Sequence, residues 1–112
     1  MYNELGTGYL ESVYQNALGI ALRNKGIAYS REIPLLVKFR GENVGEFRAD
    51  FLVGGSVILE LKAVATLLPA HDTQLINYLK ATGFSVGLLL NFGSKAEVKR
   101  RVLGTSNPPL SV

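Results

Sequence analysis

The spacing of apolar residues predicts two amphipathic helices. Over residues 9–25, apolar positions recur at intervals of three and four, as on one face of a helix, and Gly26 is a natural stop. A second helical segment starts at Pro69, since proline suits the first helical position, and ends at Gly83. We therefore expect one helix near the start of the chain and another after its middle.

The segments between and after these helices alternate apolar and polar residues or are continuously apolar, which is typical of strands. Pro34 favours a sheet edge or a strand start, Arg40–Gly45 fits a turn, and Gly54–Ser56 fits a tight hairpin loop. The predicted strands cover residues 33–39, 46–53, 57–63, 84–92 and, as a basic edge strand, 95–101. This order predicts an α/β domain in which a mixed β-sheet is flanked by helices.

A chain of 112 residues has room for one domain. We assign that domain to residues 1–103. Residues 104–112 contain two prolines and little apolar sequence, so we expect them to form a loosely ordered C-terminal tail.

The hairpin around the loop Gly54–Ser56 has a predictable register. A three-residue loop aligns the apolar faces of the two strands, whereas a two-residue loop mismatches them. This register pairs Asp50 with Glu60 and Arg48 with Lys62. By strict alternation, one apolar face of the first strand consists of Phe47, Ala49, Phe51 and Val53.

Asp50 and Glu60 would form an unusual pair, because like charges directly opposite each other are destabilising. Carboxylates about 5 Å apart must share a proton or bind a cation. Mg²⁺ or Mn²⁺ needs only one or two protein carboxylates besides water and substrate phosphate. Lys62, on the same face as Glu60, would assist a water nucleophile. The alternative is that the E-x-K pattern lies on a solvated face and that Asp50 caps a turn.

Both predicted helices carry further candidates for a site. Glu11 lies at the edge of the first apolar arc, where it either faces the site or reaches water at the rim. Gln74 and Tyr78 share a face of the second helix, with His71 one turn before them. They would position substrate, or else form a polar seam with the tyrosine ring packed. His71 is equally explained as a surface or capping residue.

Charge, cysteine content and hydropathy exclude some kinds of site and location but do not identify the function. Twelve Lys and Arg against nine Asp and Glu give a net charge of +3, which permits a polyanionic partner. The absence of cysteine excludes disulfides and thiolate metal sites and fits a cytoplasmic location. No apolar run approaches the ~20 residues that cross a bilayer, and the start has no signal-peptide pattern. We expect no membrane association.

Several segments together resemble one family. Residues 8–14, GYLESVY, match the G-x-x-E-x-x-Y signature of the GxxExxY family. FRADFLV, VILELKA, the stretch His71–Leu79 and GLLLNFG fit the same family in the same order, from Asn3 to about Val102. That family is placed in the PD-(D/E)XK nuclease superfamily. The resemblance therefore implies a restriction-endonuclease-like core.

The resemblance also implies roles for individual residues. Asp50 takes the place of the motif aspartate, and Glu60 and Lys62 take that of the E-x-K motif. Glu11 looks like a helical glutamate that adds an acidic group. The implied catalytic set is Glu11, Asp50, Glu60 and Lys62, with the three carboxylates as ligands of Mg²⁺ or Mn²⁺.

Substrate contacts follow from the same resemblance and from charge. Gln74 and Tyr78 look like the Q-x-x-x-Y motif of the exonuclease-type branch, which supports the active site and DNA. Phosphate contacts are expected from Arg48, Lys95, Lys99, Arg100 and Arg101. The resemblance implies more helix before the signature than precedes it here, and a first helix shortened in this way would leave apolar sheet surface open to a homodimer.

Two functions are favoured by the sequence, and a third, a structural partner in a larger complex, stays open. The first is a metal-dependent nuclease that hydrolyses the phosphodiester bonds of DNA or RNA. The second is a non-catalytic nucleic-acid-binding or protein-interaction module on a nuclease fold. The acidic pair with Lys62 favours the first, because a binding module has no need to hold two carboxylates together.

Overall fold

The computed structural model describes residues 1–103, which form helices on both faces of a single five-stranded sheet. The helices are α1 (Tyr2–Leu5), α2 (Glu11–Asn24) and α3 (Pro69–Thr82). The strands are β1 (Tyr29–Phe39), β2 (Glu42–Val53), β3 (Val57–Lys62), β4 (Val86–Phe92) and β5 (Ala96–Val102). The tail predicted at 104–112 lies outside the described residues.

The sheet is mixed, as predicted. Its strand order is β1-β2-β3-β4-β5, and every neighbouring pair is antiparallel except β3 and β4. The parallel pair requires a crossover connection, which α3 supplies. β1, which contains Pro34, and the basic strand β5 are the two edges, so both predicted edge positions are confirmed.

Two apolar clusters hold the layers together, one on each face of the sheet. The α2 side consists of Tyr14, Leu22, Phe51, Leu59, Leu61 and Phe92. The α3 side consists of Ala49, Ile58, Leu75, Leu79 and Leu89. Burial of both faces explains why β3 and β4 are almost continuously apolar in sequence.

The hairpin between β1 and β2 is longer than predicted. Only Arg40 and Gly41 connect the strands, and both have positive φ, 50° and 80°, as a two-residue hairpin turn requires. Residues 42–45, predicted as part of the turn, pair with the end of β1 instead. Their sequence ENVG has no apolar alternation, because this part of the ribbon is exposed on both faces.

The prediction of one continuous apolar face on β2 is wrong. Ala49 packs with α3, whereas Phe51, two residues on, packs with α2. The switch occurs at Asp50, opposite a stretch of β1 where Glu32 has a positive φ of 51°. Strict alternation requires regular extended backbone, and the neighbouring strand β1 is irregular here. The irregularity falls at the candidate site.

Candidate active site

The pairing between β2 and β3 stops beside the two predicted carboxylates. Val53 pairs with Val57 and Phe51 with Leu59, so the predicted three-residue loop is confirmed. The ladder ends there, and the predicted pairs Asp50–Glu60 and Arg48–Lys62 are not part of it. The backbone groups beyond Leu59 on this edge of β3 therefore need other partners.

The carboxylates themselves supply those partners. The N–H of Leu61 donates to Oδ2 of Asp50 at 2.7 Å, and the N–H of Asp50 donates to Oε1 of Glu60 at 3.3 Å. Each strand thus holds the carboxylate of the other through a backbone donor. Each carboxylate has a second oxygen, so both can accept a further ligand.

Glu60 is the most perturbed acid of the site. Its residue is only 8% exposed, and burial, reinforced by the charge of Asp50, raises its pKa to about 8. The Asp50 N–H and the Lys62 ammonium oppose this shift. Burial likewise raises the pKa of Asp50, against the Leu61 hydrogen bond and Lys62. A cation placed between the two carboxylates would relieve their desolvation and repulsion.

Glu11 approaches this pair from α2. It is the first residue of the helix, where the positive end of the helix dipole favours a carboxylate. Burial raises the pKa of Glu11, the charge of Lys62 lowers it, and that of Asp50 raises it. Glu11 and Lys62 therefore lie close enough to the acidic pair to interact with it electrostatically.

Gln15, which the sequence reasoning missed, contacts Glu11 beside the acidic pair. Its Nε2 donates to Oε1 of Glu11 at 3.4 Å, and its side chain lowers the pKa of the Asp50 carboxyl. A signal existed in the sequence, because residues four apart on a helix face the same way. Gln15 follows Glu11 by one turn.

Tyr14, the tyrosine of the G-x-x-E-x-x-Y segment, fixes the approach to Glu11. It is fully buried, and its ring stacks on Phe92 with centroids 4.8 Å apart. Its hydroxyl donates to the carbonyl of Gly6 at 2.7 Å and accepts from the N–H of Tyr9 at 3.4 Å. This one side chain holds the loop that leads into α2 and so sets the position of Glu11.

On the other side of the sheet, α3 brings Tyr78 to the carboxylates. Burial raises the pKa of Tyr78, the charges of Glu60 and Asp50 raise it further, and a hydrogen bond from Gln74 opposes them. The ring of Tyr78 stacks on Phe47 of β2 with centroids 3.5 Å apart. The structure thus brings the predicted Tyr78 near the acids, where Phe47 orients its ring, and leaves Gln74 exposed one turn before it on α3.

The loop after Lys62 is attached to the end of β4. Asn91, fully buried, accepts from the N–H of Val64 at 3.0 Å and donates to its carbonyl at 2.8 Å. A Cβ on Gly93 would stand 2.1 Å from the same carbonyl, so only glycine permits this approach. Lys62 is the ladder partner of Asn91, and this attachment fixes the strand end that carries the lysine.

The remaining candidates lie elsewhere. Arg48 is exposed and donates to the carbonyl of Glu32 at 3.4 Å; within residues 1–103 it makes no hydrogen bond to the carboxylates. Arg101 forms an ion pair with Asp72 at 2.6 Å. His71 caps α3, its Nδ1 accepting from the N–H of Leu68 at 3.1 Å.

The carboxylates of the site suit a hard divalent cation, although they do not surround a metal position on all sides. Across residues 1–103, no three carboxylate or imidazole groups stand together in a metal-binding arrangement. Asp50 and Glu60 form the close pair, and Glu11 interacts with it through charge. Mg²⁺ commonly uses one or two carboxylates and keeps several waters, so the pair is sufficient.

Comparison with known families decides the classification. A sequence model of the PD-(D/E)XK nuclease superfamily matches residues 1–102. The chain belongs to this superfamily. A search of curated proteins finds no match.

Solved structures agree with the superfamily at the level of fold. The crystal structure of SSO0001 matches with a TM-score of 0.67 and 18% identity, over 82% of this chain and 50% of that one. An alkaline exonuclease from Laribacter hongkongensis matches with a TM-score of 0.61 and 13% identity, over 83% of this chain and 56% of that one. The α/β core is therefore restriction-endonuclease-like, as predicted. The chain spans about half the length of each of these structures.

One further expectation from sequence concerns membranes. None of the helices formed by residues 1–103 is long and apolar enough to span a bilayer.

Proposed function

We propose that this chain is a metal-dependent nuclease that hydrolyses phosphodiester bonds of DNA. The observation that carries the proposal is the reciprocal hold between Asp50 and Glu60, with Lys62 close enough to act on both charges. A protein gains nothing in stability from placing two carboxylates together in a half-buried position. Membership of the superfamily supports the same conclusion.

Asp50 and Glu60 would hold Mg²⁺ or Mn²⁺, with Glu11 as a third acidic group. When bound, such an ion polarises a phosphate and lowers the pKa of a nearby water. The backbone bonds at Oδ2 of Asp50 and Oε1 of Glu60 orient the two carboxylates before any ligand arrives. This orientation reduces the reorganisation required when the site is filled.

Lys62 supplies the fixed positive charge of the site. Its ammonium group lowers the pKa of the Glu11, Asp50 and Glu60 carboxyls. In the reaction it orients the attacking water and stabilises negative charge that develops on the phosphate. Gln74 and Tyr78 line the α3 side and position the sugar-phosphate chain of the substrate.

Finer assignments belong to the same proposal. The G-x-x-E-x-x-Y segment and the interactions of Tyr14 support membership of the GxxExxY family. Arg48 and the basic positions of β5 contact backbone phosphates outside the acidic centre. A cytoplasmic location fits the lack of cysteine, and a homodimer would cover apolar side chains such as Val98 and Val102, which are more than half exposed.

The first test is a metal titration of the wild type and Asp50→Ala, following thermal unfolding, combined with a cleavage assay on linear duplex and single-stranded DNA. We expect Mn²⁺ and Mg²⁺ to raise the melting temperature of the wild type and not that of the variant. DNA cleavage should require the metal and Asp50.

The alternative is a non-catalytic nucleic-acid-binding module. DNA binding that is independent of metal and unchanged in Asp50→Ala, with no cleavage under any metal condition, would support that alternative and contradict the nuclease proposal.

A further inference from the structure

Arg31 on β1 carries a positive charge that the described part of the chain does not neutralise. Its Nη1 donates to Oδ1 of Asn16 on α2 at 3.0 Å, and its guanidinium lies over the ring of Phe51, 5.3 Å from the ring centroid. No carboxylate of residues 1–103 lies within ion-pair distance of it. The side chain is exposed, so its charge is available to a ligand.

The two contacts hold the guanidinium in place and leave most of its donors free. Phe51 is fully buried, so its ring is a rigid surface, and Asn16 lies within a regular helix. A guanidinium has five N–H donors, and the bond to Asn16 uses one of them. An arginine that is already oriented loses less side-chain freedom when its planar fork binds the oxygens of a phosphate.

Arg31 lies close to the acidic pair, on the face of the sheet that α2 covers. Its ladder partner is Phe51, the neighbour of Asp50, so the Cα atoms of Arg31 and Asp50 are within about 9 Å of each other. Phe51 packs on the α2 side. Asn16 follows Glu11 by five residues, which is about 7.5 Å along the helix axis.

Polar side chains connect the acids with Arg31 along α2. Gln15, the neighbour of Asn16, donates to Oε1 of Glu11 at 3.4 Å. One strand of duplex DNA carries a phosphate about every 3.4 Å of helix axis. A strand whose scissile phosphate lies at the acids would therefore bring a phosphate one or two nucleotides away to the level of Arg31.

We propose that Arg31 binds a backbone phosphate of DNA one or two nucleotides from the scissile bond and so places that strand at the acidic pair. Asn16 and Phe51 orient the guanidinium for this contact. The inference rests on the proposed function, because it concerns the substrate of the same site.

The test is the binding of a short linear DNA duplex, followed by fluorescence anisotropy in Mg²⁺ at several salt concentrations. All proteins carry Lys62→Met so that the DNA stays uncut, and Lys62→Met alone is the reference. Arg31→Met removes the charge, whereas Arg31→Lys keeps the charge without the planar fork. Arg23→Met is the matched control, because Arg23 is an exposed arginine in the last turn of α2, far along the helix from Glu11.

We expect Arg31→Met to raise the Kd for DNA about tenfold, as for the loss of a hydrogen bond to a charged group. The slope of log K against log salt should become shallower by about one, because one phosphate contact is lost. Arg31→Lys should keep the slope of the reference, with a Kd between those of the reference and Arg31→Met. Arg23→Met should match the reference in both quantities.

A neutral methylphosphonate placed at single positions of the DNA locates the contact. At one or two nucleotides from the cleavage site it should weaken binding by the reference about tenfold. The same substitution should leave binding by Arg31→Met unchanged, because the interaction that it removes is already absent. A purely structural role of Arg31 would not produce this loss of sensitivity.

Two results would overturn the inference and leave the nuclease proposal intact. One is an Arg31→Met protein with the Kd and salt slope of the reference. The other is an Arg31→Met protein that binds more weakly but responds to every methylphosphonate as the reference does. If Arg31→Met does not fold, Arg31→Lys decides, since a Kd equal to that of the reference would contradict the contact. A wild type that neither binds nor cleaves DNA would overturn the inference and the proposed function together.

Discussion

The two ends of β3 show how one strand can serve both the core and the site. At its start, Val57–Leu59 pairs with β2 on one side and β4 on the other, and its side chains are apolar and mostly buried. At its end, Glu60–Lys62 pairs with β4 alone. On the edge towards β2, the N–H of Leu61 donates to the carboxylate of Asp50 instead of to a strand carbonyl. Backbone donors that would otherwise continue the ladder orient acidic groups instead. The site therefore lies where regular pairing stops.

The largest expected effect is the loss of cleavage in Asp50→Asn. Asparagine retains an oxygen that accepts from the Leu61 N–H but has no charge to hold a cation. Cleavage should fall about 10³-fold or more. The melting temperature without metal should stay level or rise, because repulsion with Glu60 is removed.

The matched control for this change is Glu46→Gln, an exposed carboxylate on the same strand. It should leave both cleavage and melting temperature unchanged. A sharp fall in the melting temperature of metal-free Asp50→Asn would contradict the view that the two acids destabilise each other.

Lys62→Met should reduce cleavage by about 10²- to 10⁴-fold, the range typical for removal of a group that assists proton transfer. Mn²⁺ binding by calorimetry should persist, because the carboxylates remain. Lys38→Met, which removes an exposed lysine from the β1–β2 ribbon, is the control for the loss of one positive charge. If Lys62→Met abolished Mn²⁺ binding, its role would be structural at the site and not in the reaction.

The end of β3 should make stability depend on pH through Glu60, whereas the apolar start of the strand should not. The pKa of Glu60 is about 8 when folded against an ordinary value of 4.5, so the folded state binds more protons between these values. As far as Glu60 determines it, the free energy of unfolding without metal should therefore be highest below pH 4.5, fall as pH rises from 4.5 to 8, and level off above that.

The expected change is on the order of a few kcal/mol, measured by urea unfolding in the presence of a chelator. Glu60→Gln should flatten this slope, since the group no longer ionises. A slope equal to that of the wild type in Glu60→Gln would show that another residue is responsible.

The smallest expected effect concerns Phe47, which stacks on Tyr78. Phe47→Leu should cost about 1 kcal/mol of stability through the lost aromatic pair. It should also reduce cleavage a few-fold, because Tyr78 loses its fixed orientation. Phe39→Leu provides the comparison, since Phe39 lies exposed near the ribbon turn and should affect neither quantity.

Much of the fold could be predicted from local patterns. The two main helices, the three-residue loop and the mixed sheet follow from apolar spacing and from glycine and proline positions. The length of the β1–β2 ribbon could not be predicted, because Glu42–Gly45 has no apolar alternation when both of its faces are exposed. The side switch at Asp50 also escaped prediction, since it lies opposite the irregular backbone at Glu32, which the apolar pattern of the sequence does not reveal.

The sequence by itself determined which acidic, basic and polar residues are candidates for the site and which of them share a strand or a helix face. Asp50, Glu60 and Lys62 lie on neighbouring strands, and the spacing of Gln74 and Tyr78 places them on one face of a helix. These are relations within one element or across one short loop, and local geometry fixes them.

Only the tertiary structure decided how the acids are held. The ladder ends at Leu59, the carboxylates accept backbone N–H groups, and Asn91 fixes the loop after Lys62. The bonds of Asn91 to Val64 join segments 27 residues apart, whereas those of the carboxylates cross one short loop at the point where regular pairing stops. They arise because every buried polar group must find a partner in the packed state, and packing determines which partners are within reach.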